Sequence, residues 1–389
     1  MSGRVIVVGS VNIDLVARVP HLPHPGETVT GGSFDRHNGG KGGNQAVAAA
    51  RLRRPTLIIG AVGDDTFEKE ARRALSSERV DVSMVASLPG QPTGVALILV
   101  DATGENQIAV VPGANGAIEP GYVRDSLARL GPLTGDVMLV CNEVSLHVVR
   151  EALLCGHAAG ATTILNPAPA IGIDRSMFGL ADIVTPNRTE LATLLQNDAP
   201  RTVRKAEATA TDATSKARSL LEAGPDGPGV RKAVIVTLGA SGIMVLERIG
   251  SGLGGAAAAK LEASGRADPC SDEAVPGAAA APTVPSGDAP IAVAAPIAAP
   301  TAAPASGARD GDIRIWEVPA DSVATVDSTG GGDAFCGALA AALAEGRSLA
   351  EAARRAVAAG ALATTHVGAR EGMPTLAELE EFLADRPAV

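Results

Sequence analysis

Asp327-Ser328-Thr329-Gly330-Gly331-Gly332-Asp333-Ala334-Phe335 leads directly into an alanine-rich run that ends near Ala344. Three successive glycines permit a tight turn and leave backbone amides uncovered, and the run behind them reads as a helix over Ala334–Ala344. Amides at a helix start form a pocket for an anion. Asp333 stands at that start, where a carboxylate can take a proton from an attacking hydroxyl. The same residues also describe a glycine turn capped by an aspartate, which is common. There is no Gly-Lys-Ser/Thr phosphate loop here, nor the spaced glycines of a dinucleotide fold.

Outward from this stretch the chain alternates. Strands are expected at Arg4–Val8, Thr56–Ala61, Val137–Cys141, Thr162–Leu165, Ile183–Thr185 and Ala233–Leu238. Helices are expected at Gly43–Leu52, Phe67–Ser77, Leu146–Ala159, Thr189–Leu195, Leu349–Thr364 and Leu376–Leu383. Such alternation predicts an α/β fold: three layers, α/β/α, around a mainly parallel sheet. Two segments break the rhythm, Ala17–His37 and Thr93–Val111, and read as strands of a small β-sheet lid. Residues 1–389 are taken as a single domain. Residues 251–310 differ in kind: 21 of these 60 residues are Ala and 8 are Pro, with no aromatic residue. That composition cannot offset its ordering entropy by burial, so it reads as a disordered insertion. Its flanks, Ile243–Leu246 and Ile313–Trp316, are expected to pair as a hairpin. Asp198–Ser215 reads as a polar loop with helical character in part.

Bulk properties narrow the function. Lys and Arg total 33 against 43 Asp and Glu, a formal charge of −10, which disfavours nucleic acid. Aromatic residues are 2% of the chain, too few for a base-stacking platform. Cys141, Cys155, Cys270 and Cys336 show no paired spacing and point to a reducing cytoplasm. The six histidines show no zinc-ligand spacing. No apolar run approaches the ~20 residues of a membrane span, and Met1–Ile6 lacks a signal pattern.

Four further stretches carry polar groups at turns. Gly9-Ser10-Val11-Asn12-Ile13-Asp14 closes the first strand, where ligands bind in parallel sheets. Asn12 and Asp14 share a side there and could grip vicinal hydroxyls. Asn38-Gly39-Gly40-Lys41-Gly42-Gly43-Asn44-Gln45 precedes a helix and adds donors from Lys41 and Asn44. Thr185-Pro186-Asn187-Arg188-Thr189-Glu190 puts an amide and a carboxylate on one helical turn, suited to hydrated Mg²⁺ or to plain helix capping. Val236-Thr237-Leu238-Gly239-Ala240-Ser241-Gly242 is a strand end suited to a nucleotide, or simply a turn.

In this order and spacing the stretches resemble the ribokinase branch of the phosphofructokinase-B-type (ribokinase-like) carbohydrate kinases. Pro25-Gly26-Glu27-Thr28-Val29, Thr93–Ile98, Pro112-Gly113-Ala114-Asn115 and Asn166-Pro167-Ala168-Pro169-Ala170 add to the likeness. The resemblance implies transfer of the ATP γ-phosphoryl group to the 5-hydroxyl of D-ribose, with Asp333 as base. It implies that Asn12, Asp14, Gly40, Lys41, Asn44 and Glu143 hold the sugar with Asp333. Gly330, Gly331 and Gly332 would form the anion hole. Asn187, Thr237, Leu238, Gly239, Ala240, Ser241 and Gly242 would contact ATP, with Gly332 and Asp333. Asn187 and Glu190 would organise Mg²⁺ through water. Asp327, Thr329, Ala363, His366, Gly368 and Gly372 would surround K⁺; Gly372 stands where the family often has Ser. A homodimer through the lid strands is implied too. The alternatives are another acceptor, such as deoxyribose, a nucleoside or a ketohexose, and a sugar-binding regulator without catalysis.

Overall fold

The computed structural model describes residues 3–198, 213–222, 229–249, 308–310 and 312–386. Two units are distinguished. Met1–Arg248 with Gly307–Ala388 carries everything described below. The other, centred on Ile249–Ser306, lies outside the described residues apart from Ile249, and so does almost all of the expected insertion.

An eleven-stranded sheet forms the middle layer. From Ala233–Thr237 it runs through Ile183–Val184, Thr162–Asn166, Val137–Cys141, Val5–Val8 and Thr56–Gly63 to Val80–Asp81, all parallel. Ile243–Arg248 and Ile313–Val318 extend the other edge antiparallel, in register Ile243 with Val318. The expected hairpin strands therefore pair. Ala308–Asp310 adds a short antiparallel strand beside Ile313–Ile315. That corrects the reading of 251–310 as wholly disordered, since its last residues obtain backbone partners from a neighbouring strand.

The run Val5-Ile6-Val7-Val8 shows why the sheet is covered twice. Side chains alternate across a strand. Val5 and Val7 enter a core built with Ala46, Val47, Phe335, Leu339 and Val357. Ile6 and Val8 enter a second core with Leu133, Val148, Leu153 and Phe178. The first core includes helices Lys41–Arg51, Gly331–Ala344 and Leu349–Ala363. Helix Gly331–Ala344 is buried almost all round, which its Ala and Gly content permits. At Gly337 a Cβ would fall 2.5 Å from Ala48 Cβ and 2.6 Å from Gln45 O. Glycine there lets this helix lie against Lys41–Arg51 and brings two glycine-rich stretches far apart in sequence to one place.

Both helices begin earlier than propensity suggests, at Lys41 rather than Gly43 and at Gly331 rather than Ala334. Tertiary packing overrides the low helix propensity of glycine.

A second sheet has four strands in the order Ser33–Gly39, Asn12–Arg18, Gly94–Val100 and Asn106–Val111. Its first strand begins at Asn12, not Ala17, and Val19–Gly32 between the first pair is not strand. Asn12 and Asp14 are therefore at the head of this small sheet rather than at the end of the first main strand. Phe34 (65% exposed), Leu97 and Ile108 (57%) leave apolar surface uncovered on it. No helix among the described residues is long and apolar enough to cross a membrane.

Candidate active site

The two glycine-led helices bring their first turns to the carboxyl ends of the central strands. Asp333 is 7% exposed. Its Oδ2 accepts from Asn44 Nδ2 and its Oδ1 from Gln45 Nε2, both at 3.0 Å. A carboxylate has about four acceptor positions, so two amide bonds fix its rotation and leave lone pairs for a hydroxyl. Gln45 Nε2 also donates to Asn166 Oδ1 at 3.0 Å. Beside them, Glu143 Oε2 accepts from Ser10 Oγ at 2.6 Å and from Lys41 N at 3.0 Å. The carboxylate of Asp333, chiefly, raises the Lys41 ammonium well above its ordinary range, outweighing burial, with Glu143 helping.

The head of the small sheet faces this group. Asn12 is buried, and its Oδ1 accepts from Asn115 Nδ2 at 2.7 Å. Asn115 is itself held by the backbone of Val11 through both ends of its amide. Burial raises Asp14 to about 6, with Arg370 and His37 opposing and Glu143 and Asp333 adding to the rise.

A cavity of about 250 Å³ opens from Asp333 and Lys41 toward Asn187, Glu190, Thr237 and Gly332. Asn187 and Glu190 cap each other: Asn187 Oδ1 accepts from Glu190 N, and Glu190 Oε2 accepts from Asn187 N, both at 2.8 Å. Burial raises the Glu190 carboxyl, against the Asn187 amide and Lys41. Gly330 opens the Asp333 helix at φ 79° with no side-chain cap, and a Cβ there would fall 2.6 Å from Ala369 O. The Gly332 and Asp333 amides are first-turn donors that no intrahelical acceptor can reach. Leu238–Gly242 is a turn with Gly239 at φ 62° and Gly242 at φ 87°, Leu238 N donating to Gly242 O at 2.8 Å; Ala240 and Ser241 are exposed.

Behind the Gly330 turn, Asp327 accepts from Thr329 N and Gly368 N, each at 2.9 Å. Burial would raise this carboxyl, but these bonds outweigh it and hold Asp327 below its usual range. A Cβ on Gly372 would fall 2.2 Å from Ala363 O and 3.4 Å from Gly368 O. A serine there would thus crowd a carbonyl. His366 is exposed, with Nδ1 2.9 Å from Thr365 Oγ1.

The structure thus gathers Lys41, Asn187, Glu190, Thr237, Gly330, Gly332 and Asp333 around one cavity, with Asn12, Asp14, Asn44 and Glu143 against its inner end. It sets Asp327, Thr329, Ala363, Gly368 and Gly372 in a separate cluster behind. Three polar groups went unassigned in sequence: Gln45, Asn115 and Arg370. Gln45 adjoins Asn44 in a motif already singled out, whereas nothing local marks Arg370. Ser328, Asn166, Thr185 and Cys336 also line the cavity.

A buried, doubly braced carboxylate beside a bare helix start, opening on a polar cavity at strand ends, is an arrangement that can deprotonate a hydroxyl next to a bound anion. The sequence matches the pfkB family carbohydrate kinases over residues 2–262 and 311–376, and the chain belongs to that family. It is 30% identical over 383 residues to the ribokinase of Haemophilus influenzae, covering 98% of this chain and 99% of that protein. It is 39% identical over 246 residues to the ribokinase of Schizosaccharomyces pombe, covering 61% of this chain and 73% of that one. The crystal structure of Thermotoga maritima ribokinase superposes with a TM-score of 0.71 at 26% identity, covering 98% of this chain and 99% of that one.

Proposed function

We propose that this chain is an ATP-dependent ribokinase that phosphorylates the 5-hydroxyl of D-ribose. The observation that carries the reading is Asp333, buried at a bare helix start with both oxygens held by Asn44 and Gln45. In this reading Asp333 takes the proton of the sugar hydroxyl as that oxygen attacks the γ-phosphorus of ATP. Amides of the Gly330–Gly332 turn and the Lys41 ammonium meet the charge on the transferring group. Asn12, Asp14, Gly40, Asn44 and Glu143 hold the other sugar hydroxyls, and Thr237–Gly242 receives the nucleotide. The small sheet acts as a lid that excludes water.

The charges around Asp333 favour a neutral acceptor. Asp14, Glu143 and Glu190 are nearby, and of the two cations Arg370 is turned inward to Asn44 and Gly39. A phosphorylated sugar would meet mostly carboxylates.

Two cofactors fit the residues present. Among the described residues no cluster of three or more His, Cys, Asp or Glu could cage a metal. The donor set Asn187 and Glu190 suits Mg²⁺ held through its waters, with one Glu190 oxygen beyond its capping bond. Bound with ATP, Mg²⁺ neutralises phosphate charge. Around Gly372 the carbonyls of Ala363 and Gly368 converge near the Asp327 carboxylate, an all-oxygen set suited to K⁺. Thr329 and His366 would complete it through carbonyls.

Uncovered apolar side chains on the small sheet, Phe34, Leu97 and Ile108, support a homodimer through that sheet. Cys141 and Cys336 are buried thiols, in keeping with a reducing cytoplasm.

ADP release followed over a panel of sugars tests the acceptor. D-ribose is expected to show the highest kcat/KM, above deoxyribose, fructose and adenosine. A higher value for another sugar would reassign the acceptor, and no ADP with any of them would remove the kinase reading.

A further inference from the structure

Arg370 has no part in the roles given above, yet it is 6% exposed. A buried guanidinium carries a large desolvation cost unless it is well bonded. Its Nε donates to Asn44 Oδ1 at 2.9 Å and its Nη2 to Gly39 O at 2.6 Å, while its buried Nη1 has no hydrogen-bond partner among the described residues. Its own carbonyl accepts from Arg51 Nη1 at 2.8 Å, which anchors the loop that carries it. Arg370 does not line the cavity, so whatever it does for the reaction it does through neighbours.

Asn44 is the neighbour that matters. An amide has a donor end and an acceptor end, and a guanidinium only donates. Arg370 therefore obliges Asn44 to turn Oδ1 toward it. Nδ2 is left facing Asp333 Oδ2 at 3.0 Å. A flipped Asn44 would set donor against donor at Arg370 and acceptor against acceptor at Asp333. Sequence position gives no hint of this chain: 326 residues separate Arg370 from Asn44, and 289 separate Asn44 from Asp333.

Resting on the kinase reading above, we propose that Arg370 is a positioning residue. It fixes the Asn44 amide, and through it the rotation of the Asp333 carboxylate, while placing a positive charge near Asp14. The groups that act on Asp14 are Arg370, Glu143, His37 and Asp333, against a background of burial that raises it to about 6. Arg370 is the strongest of those that favour its ionised form. A charged Asp14 makes stronger hydrogen bonds to sugar hydroxyls than a protonated one.

The test is a double-mutant cycle on the full chain, with folding checked by thermal melting. R370M keeps length but removes charge and donors. Its kcat should fall about 10- to 100-fold, the scale on which misplacement of reacting groups acts, with KM for ATP unchanged. In an N44A background the same change should cost less than about twofold in kcat, because the relay is already broken. The acid limb of kcat/KM for ribose should move to higher pH in R370M. It should stay in place in R370K, which keeps the charge but lacks the rigid planar fork that aims Nε at Asn44 and Nη2 at Gly39.

Wild-type kinetics in folded R370M, or equal losses with and without Asn44, would overturn the proposal. If R370M does not fold, R370K decides: reduced kcat with an unmoved acid limb supports the relay, and unchanged kcat contradicts it. A wild-type chain inactive on every sugar would fail the kinase reading itself, whereas an active one with unaffected Arg370 variants fails only this inference.

Discussion

Of the helices that begin at the cavity, two show opposite starts. Arg188–Asp198 opens capped, Asn187 and Glu190 each satisfying the other's backbone amide at 2.8 Å. Gly331–Ala344 opens on Gly330 with no side-chain cap. Most longer helices that start elsewhere are capped, by Asp65, Ser145, Ser348 and Thr375; Pro120–Leu130 is not, but it opens on a proline, which has no N–H to satisfy. The other glycine-led long helix without a cap, Lys41–Arg51, begins beside Asp333. Capping satisfies donors that would otherwise stay open. A start left bare at a polar cavity keeps those donors for an anion. The capped start presents a carboxylate oxygen instead, which suits a hydrated cation. In the proposed reading, one cavity would meet an anionic substrate and its counter-ion with opposite uses of the same backbone geometry.

The sharpest way to break this comparison is Asp333→Asn. The amide keeps the size but cannot take a proton, so kcat should fall ~1,000-fold while calorimetry shows ribose still binding. Next comes Gly330→Ala. A Cβ would fall 2.6 Å from Ala369 O in backbone at φ 79°, distorting the bare start. A loss of ~100-fold in kcat is expected, as for a damaged oxyanion site. Asn187→Ala sharpens the contrast from the other side. It should cost about 1 kcal/mol of stability as a lost cap and also shift the Mg²⁺ dependence of turnover. Ser348→Ala should cost similar stability and leave turnover alone. Equal effects of the two on turnover would reduce Asn187 to a cap.

Smaller still is the cation response. Potassium should raise the rate severalfold and sodium should do so poorly, and Asp327→Ala should abolish the difference. Equal rates in potassium and in a large organic cation would remove that cluster from the account. The smallest effect is expected from replacing residues 251–306 with a short glycine turn. Loop closure entropy grows slowly with length, and the segment has no aromatic anchor. Melting temperature and turnover should stay close to the parent's, whereas collapse of turnover at saturating ATP would make the segment part of the enzyme.

Much of this was legible because its signals are local. The run Val5–Val8 reads as a buried strand from four adjacent residues, and the Asp327–Phe335 turn announces itself by its glycines. The pairing of Ile243–Arg248 with Ile313–Val318 was readable from apolar strands on either side of a compositional break. Illegible parts depended on distance or on small quantities. Helix Pro120–Leu130 went unread although Pro120 marks its start, because its apolar stripe is narrow: only Val123, Ser126 and Leu127 are buried. The start of the small sheet at Asn12 was missed because the main strand and the new one are separated by only Gly9–Val11. Arg370 was invisible for a different reason. Its role is defined by Asn44 and Gly39, which the fold brings to it and no spacing foretells.

Phosphoryl transfer from ATP is expected to end on the sugar and not on water. Phosphorus NMR of a reaction holding ATP, Mg²⁺, K⁺ and D-ribose reads that outcome directly. One equivalent of phosphomonoester at carbon 5 for each ADP formed, with little inorganic phosphate, is the predicted result. Inorganic phosphate accumulating with ADP, or a phosphomonoester at another carbon, would contradict it.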